Sequence, residues 1–281
     1  MSKILYSEDM MLLTPPVKEL MDTLKDVYLV GGCVRDFYAG RAFSDIDMAT
    51  PLSPEQYMKR LSAYKVVPTG LSHGTVTIVL NKKLSIELTS FRTDVRTDGR
   101  HAQVRFGTSL EEDALRRDFT INALYMDRQE CLYDVVGGLD DLKHHRVRFI
   151  GDPDQRLQED ILRLLRFFRF WGQFGKAPAD TAALTACQQH APRLSLLSKE
   201  RRTAELFKIL LLPNADKVLH LMNNSRVLPH LLVCNDLFDL VPQLPTDPVV
   251  RLWTILSEKR VPDNLLLTRK QRLLFQKLTR A

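Results

Sequence analysis

Two aspartates, Asp45 and Asp47, flank Ile46 and follow the run Gly31-Gly32-Cys33-Val34-Arg35-Asp36 by nine residues. Carboxylates at i and i+2 of a strand project from one face. Such a pair can hold one or two hard cations that bridge to phosphate oxygens. The Gly31-Gly32 turn lets backbone N–H groups come close to a triphosphate, and Arg35 adds a charge-assisted donor. Asp-x-Asp alone is equally a solvated strand edge; its combination with Gly-Gly and Arg at this spacing is what points to phosphate chemistry. Glu87, between Ile86 and Leu88, is either a third metal ligand, a base for an attacking hydroxyl, or the exposed position of an alternating strand.

Two further stretches carry chemistry. In Arg116-Arg117-Asp118-Phe119-Thr120-Ile121-Asn122, Asp118 and Asn122 are four apart, so on a helix they share a face and can clasp a ribose hydroxyl. The plainer alternative is that Asp118 caps the helix and the arginines are solvated. In Glu159-Asp160-Ile161-Leu162-Arg163, continuing to Arg166 and Arg169, a salt bridge between Asp160 and Arg163 is one reading. The other is recognition of a base. An aspartate accepts from an exocyclic amine while an arginine donates to a ring nitrogen, a pattern that cytosine and adenine offer and uracil and guanine do not. Arg166 and Arg169 can then meet phosphates.

The elements that must position these residues follow from hydropathy. Val27–Val30 is a short apolar run stopped by Gly31-Gly32, a buried strand entering a tight turn, and Val34–Ala39 forms a helical turn or two ended by Gly40. Ser44–Met48 alternates as a half-buried strand, and Val76–Leu80 and Leu84–Thr89 flank Asn81-Lys82-Lys83 as a hairpin. Arg92–Arg105 is polar and without period, which predicts a mobile loop before a helix at Glu111. From about residue 109 the period is helical throughout. Leu157–Phe170 reads as one helix, Ser198–Leu211 as another capped by Ser198, and Thr268–Leu278 as a last, strongly basic one.

The 281 residues are 44% hydrophobic and 26% charged, which excludes wholesale disorder. No apolar run approaches the ~20 residues of a membrane span. The opening MSKILYSEDMM lacks a basic-then-apolar plan, so the cytoplasm or an equivalent reducing compartment is expected. Cys33, Cys131, Cys187 and Cys234 are too scattered for a zinc site and are expected to be small buried hydrophobes. Residues 1–150 carry 20 basic and 21 acidic side chains (−1), and residues 151–281 carry 20 and 13 (+7). A near-neutral front and a basic back suit a catalytic head joined to a module that touches a polyanion. A dinucleotide-binding oxidoreductase is excluded because the Gly-Gly turn lacks GxGxxG and no βαβ repetition follows.

Together these stretches resemble the class II tRNA nucleotidyltransferases, the CCA-adding enzymes, and their bacterial poly(A) polymerase relatives. The resemblance rests on LVGGCVRD (29–36), SDIDMAT (44–50), GLSHGTVTI (70–78), TDGRHAQVRFG (97–107), RRDFTINAL (116–124), DVVGGLDDL (134–142), GDPDQRLQEDILRLLRFFRF (151–170) and LSKERRTAELFKIL (197–210). It implies an α+β protein: a polymerase-β-like nucleotidyltransferase head with a mixed or antiparallel sheet over 1–135, an all-α neck for nucleobase selection over 136–196, and a short helical body over 197–281 that contacts tRNA. It further implies that Asp45 and Asp47 hold Mg²⁺, with Glu87 beside them. Gly31, Gly32, Arg35 and Arg117 would meet the nucleotide, Asp118 and Asn122 its ribose, and Asp160 and Arg163 would select the base without a template, with Arg166 and Arg169 completing the pocket. The implied reaction adds C, C and A to a tRNA 3′ end from CTP and ATP and releases pyrophosphate. A poly(A) polymerase, a CC-only or A-only enzyme, and an inactive RNA-binding paralogue are the alternatives. The intact Arg92–Arg105 stretch weighs against a CC-only enzyme, and the presence of both Asp45 and Asp47 against an inactive one. The clear resemblance ends near residue 235, and the basic stretch Arg269–Arg280 is either a replacement phosphate contact or a solvated terminal helix.

Overall fold

The computed structural model describes residues 12–43, 45–70, 74–82, 84–97, 102–107 and 109–280. The opening MSKILYSEDM, Ser44, the centre of GLSHG, Lys83 and the middle of TDGRHA lie outside the described residues. The chain divides into two units, residues 1–144 and 145–281; the first nine residues expected in the neck (136–144) belong to the first unit and the rest of neck and body to the second.

In the first unit, α1 (Pro15–Leu24) precedes β1 (Tyr28–Val30), α2 (Gly32–Tyr38), β2 (Ile46–Thr50), α3 (Pro54–Arg60) and β3 (Lys65–Gly70). Then come β4 (Thr75–Val79), β5 (Ser85–Ser90), β6 (Arg92–Thr97), β7 (Ala102–Phe106), α4 (Leu110–Leu115), β8 (Leu124–Met126), β9 (Leu132–Asp134) and α5 (Gly138–Lys143). Seven strands form one sheet in the order β3-β4-β5-β2-β1-β8-β9. It is antiparallel except between β2 and β5, whose parallel register sets Ile46 opposite Ile86 and Asp47 opposite Glu87. The inner positions Leu29, Met48, Ile78, Ile86 and Leu88 are fully buried. The period-2 alternation of β5 (exposed Ser85 and Glu87, buried Ile86 and Leu88) thus selects the sheet face that carries the acids. Local chemistry starts the helices: Ser53 and Gln56 close a capping box on α3, as do Ser109 and Glu112 on α4.

Three sequence expectations are corrected. Arg92–Arg105 is not a loop: β6 and β7 pair antiparallel from Arg92 opposite Phe106 to Thr97 opposite Ala102, with an irregularity between Asp94 and Arg96. Ala102, Val104 and Phe106 alternate with Gln103 and Arg105, a strand period that the reading of this stretch as polar passed over, whereas Arg92–Thr97 holds a single apolar residue, Val95. The helical period does not persist after residue 109 either, since β8 and β9 return to the sheet. Cys131 is exposed and Cys234 half-buried, whereas Cys33 and Cys187 are buried as expected. Cys131 sits in a tight turn where the Asp127 carboxylate accepts its backbone N–H at 2.9 Å, which keeps it at the surface.

The second unit is helical: α6 (Pro153–Glu159), α7 (Leu162–Phe174), α8 (Thr181–His190), α9 (Lys199–Leu210), α10 (Ala215–Asn224), α11 (Pro248–Ile255) and α12 (Arg269–Arg280). α7 is its centre; Leu164, Leu165, Phe167 and Phe168 are fully buried, as are Leu206, Ile209 and Val218 on the α9 and α10 it packs against. The expected helix over Leu157–Phe170 is in fact two helices. Asp160 is extended (φ −151°, ψ 106°), and its Oδ1 accepts the Leu162 N–H at 3.1 Å. That Asx turn offers the backbone an alternative to the helical bond and breaks the helix at this residue. Ser198 caps α9 through Arg201 N–H, and Thr268 and Gln271 form a reciprocal cap on α12, both as the sequence indicates. No helix among the described residues is long and apolar enough to cross a membrane.

Candidate active site

β1 and β2 bring the Gly-Gly turn and the acids together. They pair with Tyr28 opposite Ala49 and Leu29 opposite Met48, so the end of β1 that runs into Gly31 lies beside the start of β2. Gly31 has φ 72°, a backbone state that costs glycine little and residues with a Cβ more. A Cβ there would stand 3.5 Å from an Arg117 terminal nitrogen, so the missing side chain leaves space between turn and guanidinium. Gly32 opens α2, and a Cβ on it would lie 3.8 Å from the Arg35 guanidinium.

The acids crowd one another. Asp45 is exposed immediately before β2, Asp47 is half-buried within it, and exposed Glu87 is level with Asp47 on the next strand. Burial, with Glu87 and then Asp45 adding to it against the opposing pull of Arg117, pushes the Asp47 carboxyl up to about 6. Acids on two adjacent inner strands, one of them resisting ionisation, are the donor chemistry a hard cation relieves. Among the described residues, no three His, Cys, Asp or Glu side chains form a cage of their own. Magnesium fits this arrangement, because it is held by one or two carboxylates plus waters and substrate phosphates rather than by an all-protein cage.

Asp113 holds Arg117 in place; sequence reasoning did not single it out. It is fully buried on α4. One of its oxygens accepts from Arg116 at 2.5 and 2.9 Å, and the other from Arg117 at 2.9 Å and from the Tyr125 hydroxyl at 2.7 Å. Burial alone would raise the Asp113 pKa, but Arg117, Arg116 and the Tyr125 hydrogen bond carry it below the ordinary value. Its spacing of three and four before the two arginines was the available signal.

Asp118 and Asn122 do meet, but not on a helix. α4 ends at Leu115, Phe119 is extended and Thr120–Asn122 is a single 3-10 turn. Asn122 Nδ2 donates to Asp118 Oδ1 at 3.0 Å, and Arg35 donates to Asn122 Oδ1 at 2.5 Å. Arg35 also grips Asp36 through two bonds of 3.0 Å. The guanidinium expected on phosphate is therefore engaged within the protein, tying α2 to the 3-10 turn. That turn is buttressed by α5: Thr120 Oγ1 donates to buried Asp141 at 2.6 Å, and Gly138 approaches the Thr120 carbonyl so closely that a Cβ would lie 2.1 Å from it.

In the second unit, Asp160 and Arg163 flank the break between α6 and α7. Asp160 Oδ2 accepts from Arg201 at 2.7 Å, whereas Arg163 donates to Glu159 at 2.5 Å and to the Arg156 carbonyl at 3.2 Å. The salt-bridge reading named Asp160 and Arg163; the partners shown are Arg201 and Glu159. Arg169 lies over the Phe170 ring at 4.2 Å and donates to Glu205 at 2.7 Å, and Arg166 stands 5.2 Å from the same ring. Glu205 is buried and also binds Lys208 at 3.0 Å; these cations outweigh burial and hold its carboxyl below its ordinary pKa. Glu205 lies 36 residues from Arg169, and no local pattern announces that contact.

The fold and site define a polymerase-type nucleotidyltransferase head followed by a helical unit. Residues 27–148 match the family model "Poly A polymerase head domain", and 180–234 match "Probable RNA and SrmB- binding site of polymerase A". The chain belongs to the tRNA nucleotidyltransferase and poly(A) polymerase family. It is 39% identical over 211 residues to the human mitochondrial CCA tRNA nucleotidyltransferase 1, covering 73% of this chain and 48% of the human one. It is 35% identical over 257 residues to the CCA-adding enzyme of Lactobacillus helveticus, covering 89% and 63%. Among solved structures, the Bacillus stearothermophilus CCA-adding enzyme in complex with CTP superposes with TM-score 0.68 at 35% identity, over 76% of this chain and 53% of that one. The chain thus spans about half to two-thirds of the length of these relatives.

Proposed function

We propose that this protein adds C, C and A to the 3′ end of tRNA from CTP and ATP. The observation that carries the reading is the convergence of Asp45, Asp47 and Glu87 beside the Gly31 turn, with Arg117 held next to that turn by Asp113. The names of the matched relatives support the substrates.

In the reaction the terminal ribose hydroxyl attacks the α-phosphorus of the bound nucleotide. A new P–O ester bond forms, the α–β phosphoanhydride bond breaks, and pyrophosphate leaves with its electron pair. Asp45 and Asp47 would hold Mg²⁺, which when bound would neutralise developing charge and lower the pKa of the attacking hydroxyl. The chain's own residues do the positioning. The Gly31-Gly32 backbone and Arg117 orient the triphosphate, and Glu87 is the base or additional cation ligand beside Asp47. Asp118 and Asn122 receive the ribose, with Arg35 fixing Asn122. Orientation and fixed charge are the main sources of rate in phosphoryl-type transfer.

Base choice falls to the helical unit. Asp160 retains acceptor capacity beyond its bonds to Leu162 N–H and Arg201, because an ionised carboxylate offers about four lone-pair sites. It accepts from the exocyclic amine of C or A while Arg163 donates to the ring nitrogen, with Arg166 and Arg169 completing the pocket. The proposed division is a head over 1–135, a base-selecting neck over 136–196 and a tRNA-contacting body over 197–281, in the cytoplasm or an equivalent reducing compartment.

The test is gel-resolved extension of tRNA transcripts ending before CCA, after C and after CC. Each is incubated with Mg²⁺ and single nucleotides, then with CTP and ATP together. Growth that stops after CCA and ignores UTP and GTP is expected. Long A tracts would make the protein a poly(A) polymerase, extension of one transcript only would make it a partial enzyme, and no extension would leave an RNA-binding paralogue.

A further inference from the structure

α6 ends on Asp160, and at seven residues it is just under two turns, too short to hold its shape alone. Its geometry is therefore set by what it packs against, α8 above all. A chain of polar contacts from the end of α8 and from the 3-10 segment that follows it (Ala191–Leu196) runs along α6. Asp154, in the first turn of α6, is bonded at 3.0 Å by Nε2 of His190, the last residue of α8. Nδ1 of the same ring meets the Arg193 guanidinium at 3.0 Å. That guanidinium donates onward to the carbonyls of Leu157 and Gln158, each at 3.4 Å, and Gln158 stands two residues before Asp160.

The donors fix the proton. Arginine has no acceptor, so Nδ1 accepts from Arg193, and the ring proton sits on Nε2 and is donated to Asp154. His190 in this neutral tautomer links a carboxylate at one end of α6 to carbonyls at the other. The last carbonyls of a helix lack intrahelical donors and carry the negative end of its dipole, and a guanidinium answers both needs. The Arg156 carbonyl, one residue earlier, takes Arg163 at 3.2 Å and the Asp160 N–H at 3.3 Å. A cap for stability alone would end there. From Arg193, however, the chain leads directly into α9, whose Arg201 binds Asp160 Oδ2 at 2.7 Å. One continuous segment thus fixes both the Asp160 carboxylate and the backbone that carries it.

We propose that Arg193, fixed by His190 and Asp154, is a positioning residue for base selection: it sets the end of α6 and so the direction in which the Asp160 carboxylate meets the nucleobase. It acts through Asp160 and not by touching the nucleotide. The inference rests on the reading of Asp160 as the acceptor for the exocyclic amine of C or A.

The experiment uses the full chain with Mg²⁺ and measures Kd for CTP, ATP, UTP and GTP by titration calorimetry, with thermal melts as the check on folding. The variants are Arg193→Gln, Arg193→Lys, His190→Leu, His190→Gln, Asp160→Ala and the double variant Asp160→Ala/Arg193→Gln. Misplacing a positioned group costs up to about 10²-fold, and the ratio of the UTP Kd to the CTP Kd is expected to contract by roughly tenfold in Arg193→Gln and His190→Leu. The contraction comes from weaker CTP binding with UTP unchanged, whereas a merely structural role would weaken all four nucleotides alike. His190→Gln, whose amide offers one donor and one acceptor, restores the parental ratio. Arg193→Lys keeps the charge but not the fork and falls between. In Asp160→Ala the ratio collapses, and adding Arg193→Gln changes it no further. An Arg193→Gln variant with the parental ratio, or one whose effect persists in full on top of Asp160→Ala, overturns the proposal and leaves Asp160 as the selector. An Asp160→Ala variant with the parental ratio, or a parent that binds all four nucleotides alike, overturns the base-selection reading and the positioning role with it. If Arg193→Gln does not fold, His190→Leu against His190→Gln decides by the same ratio.

Discussion

Replacing Asp113 by alanine removes one side chain and strands several others. Its carboxylate is fully buried and accepts from two guanidinium groups, the Tyr125 hydroxyl and the Arg92 backbone N–H at 3.4 Å. Without it, Arg117 keeps Tyr125 at 2.8 Å but no buried countercharge in this cluster. Breaking a buried pair on one side costs about 3–5 kcal/mol, mostly from the uncompensated charge. At ~2–4 °C per kcal/mol, the melting temperature falls by about 6–20 °C. Thermal unfolding followed by circular dichroism of Asp113→Ala, Arg117→Met and the double variant Asp113→Leu/Arg117→Met measures it. The double variant orphans no Arg117 charge, although Arg116 still loses Asp113, and it is expected to be more stable than the sum of the single effects by about 1–3 kcal/mol. The same pair carries a pH signature. The folded pKa of Asp113 lies below its ordinary value of 3.8, so its contribution is complete above that value and disappears as pH falls through the depressed pKa. The parent therefore loses stability at acid pH that the double variant lacks. Because Asp113 acts through Arg117, the KM for nucleotide should rise more than kcat falls in Asp113→Asn. Additive single effects, or an Asp113→Ala variant within about 0.5 kcal/mol of the parent, would refute the reasoning.

Three further outcomes are expected. Asp47→Asn should reduce nucleotide incorporation by at least about 10²-fold while leaving the far-ultraviolet spectrum unchanged, read by primer extension. Gly138→Ala drives a Cβ to 2.1 Å from the Thr120 carbonyl and 3.3 Å from Ile121 N, neither of which can swing aside. It should cost about 1–3 kcal/mol by calorimetry and lower turnover by moving the turn that carries Asn122. Glu205→Ala releases Arg169 and Lys208 from a buried carboxylate and should destabilise the helical unit by about 3 kcal/mol in denaturant melts. In extension assays it should also increase incorporation of UTP or GTP relative to CTP.

What was legible in the sequence was local. The apolar run stopped by Gly31-Gly32, the alternation of β2 and the hairpin of β4 and β5 each have a period or a turn residue that fixes them, and the structure agrees. Ser198 and Thr268 announce their helices because a cap bonds a backbone only three residues away. The same short range explains the misses. Asp160 sits in an unbroken helical pattern, and its Asx turn and its bond to Arg201, 41 residues on, override that pattern. β6 carries one apolar residue, Val95, and so shows no period, while the alternation of β7 over Ala102–Phe106 is too short to outweigh the polar stretch before it. Asp118 and Asn122 were paired through a helix that does not exist, yet they meet because a 3-10 turn and the Gly138 approach bring them together.

The sequence by itself determined which groups exist to do chemistry: three acids, a glycine turn that only a small residue permits, a basic second half and the motifs that give the family. The tertiary structure decided which of them face one another. Parallel pairing of β2 with β5 puts Glu87 beside Asp47, and burial of Asp113 aims Arg117 at the Gly31 turn. Arg35, which the spacing assigned to phosphate, also bonds Asn122 and Asp36. Hydrogen bonds and ion pairs act over a few ångströms of space regardless of chain separation, so partners 87 residues apart, such as Arg35 and Asn122, have no trace in local pattern.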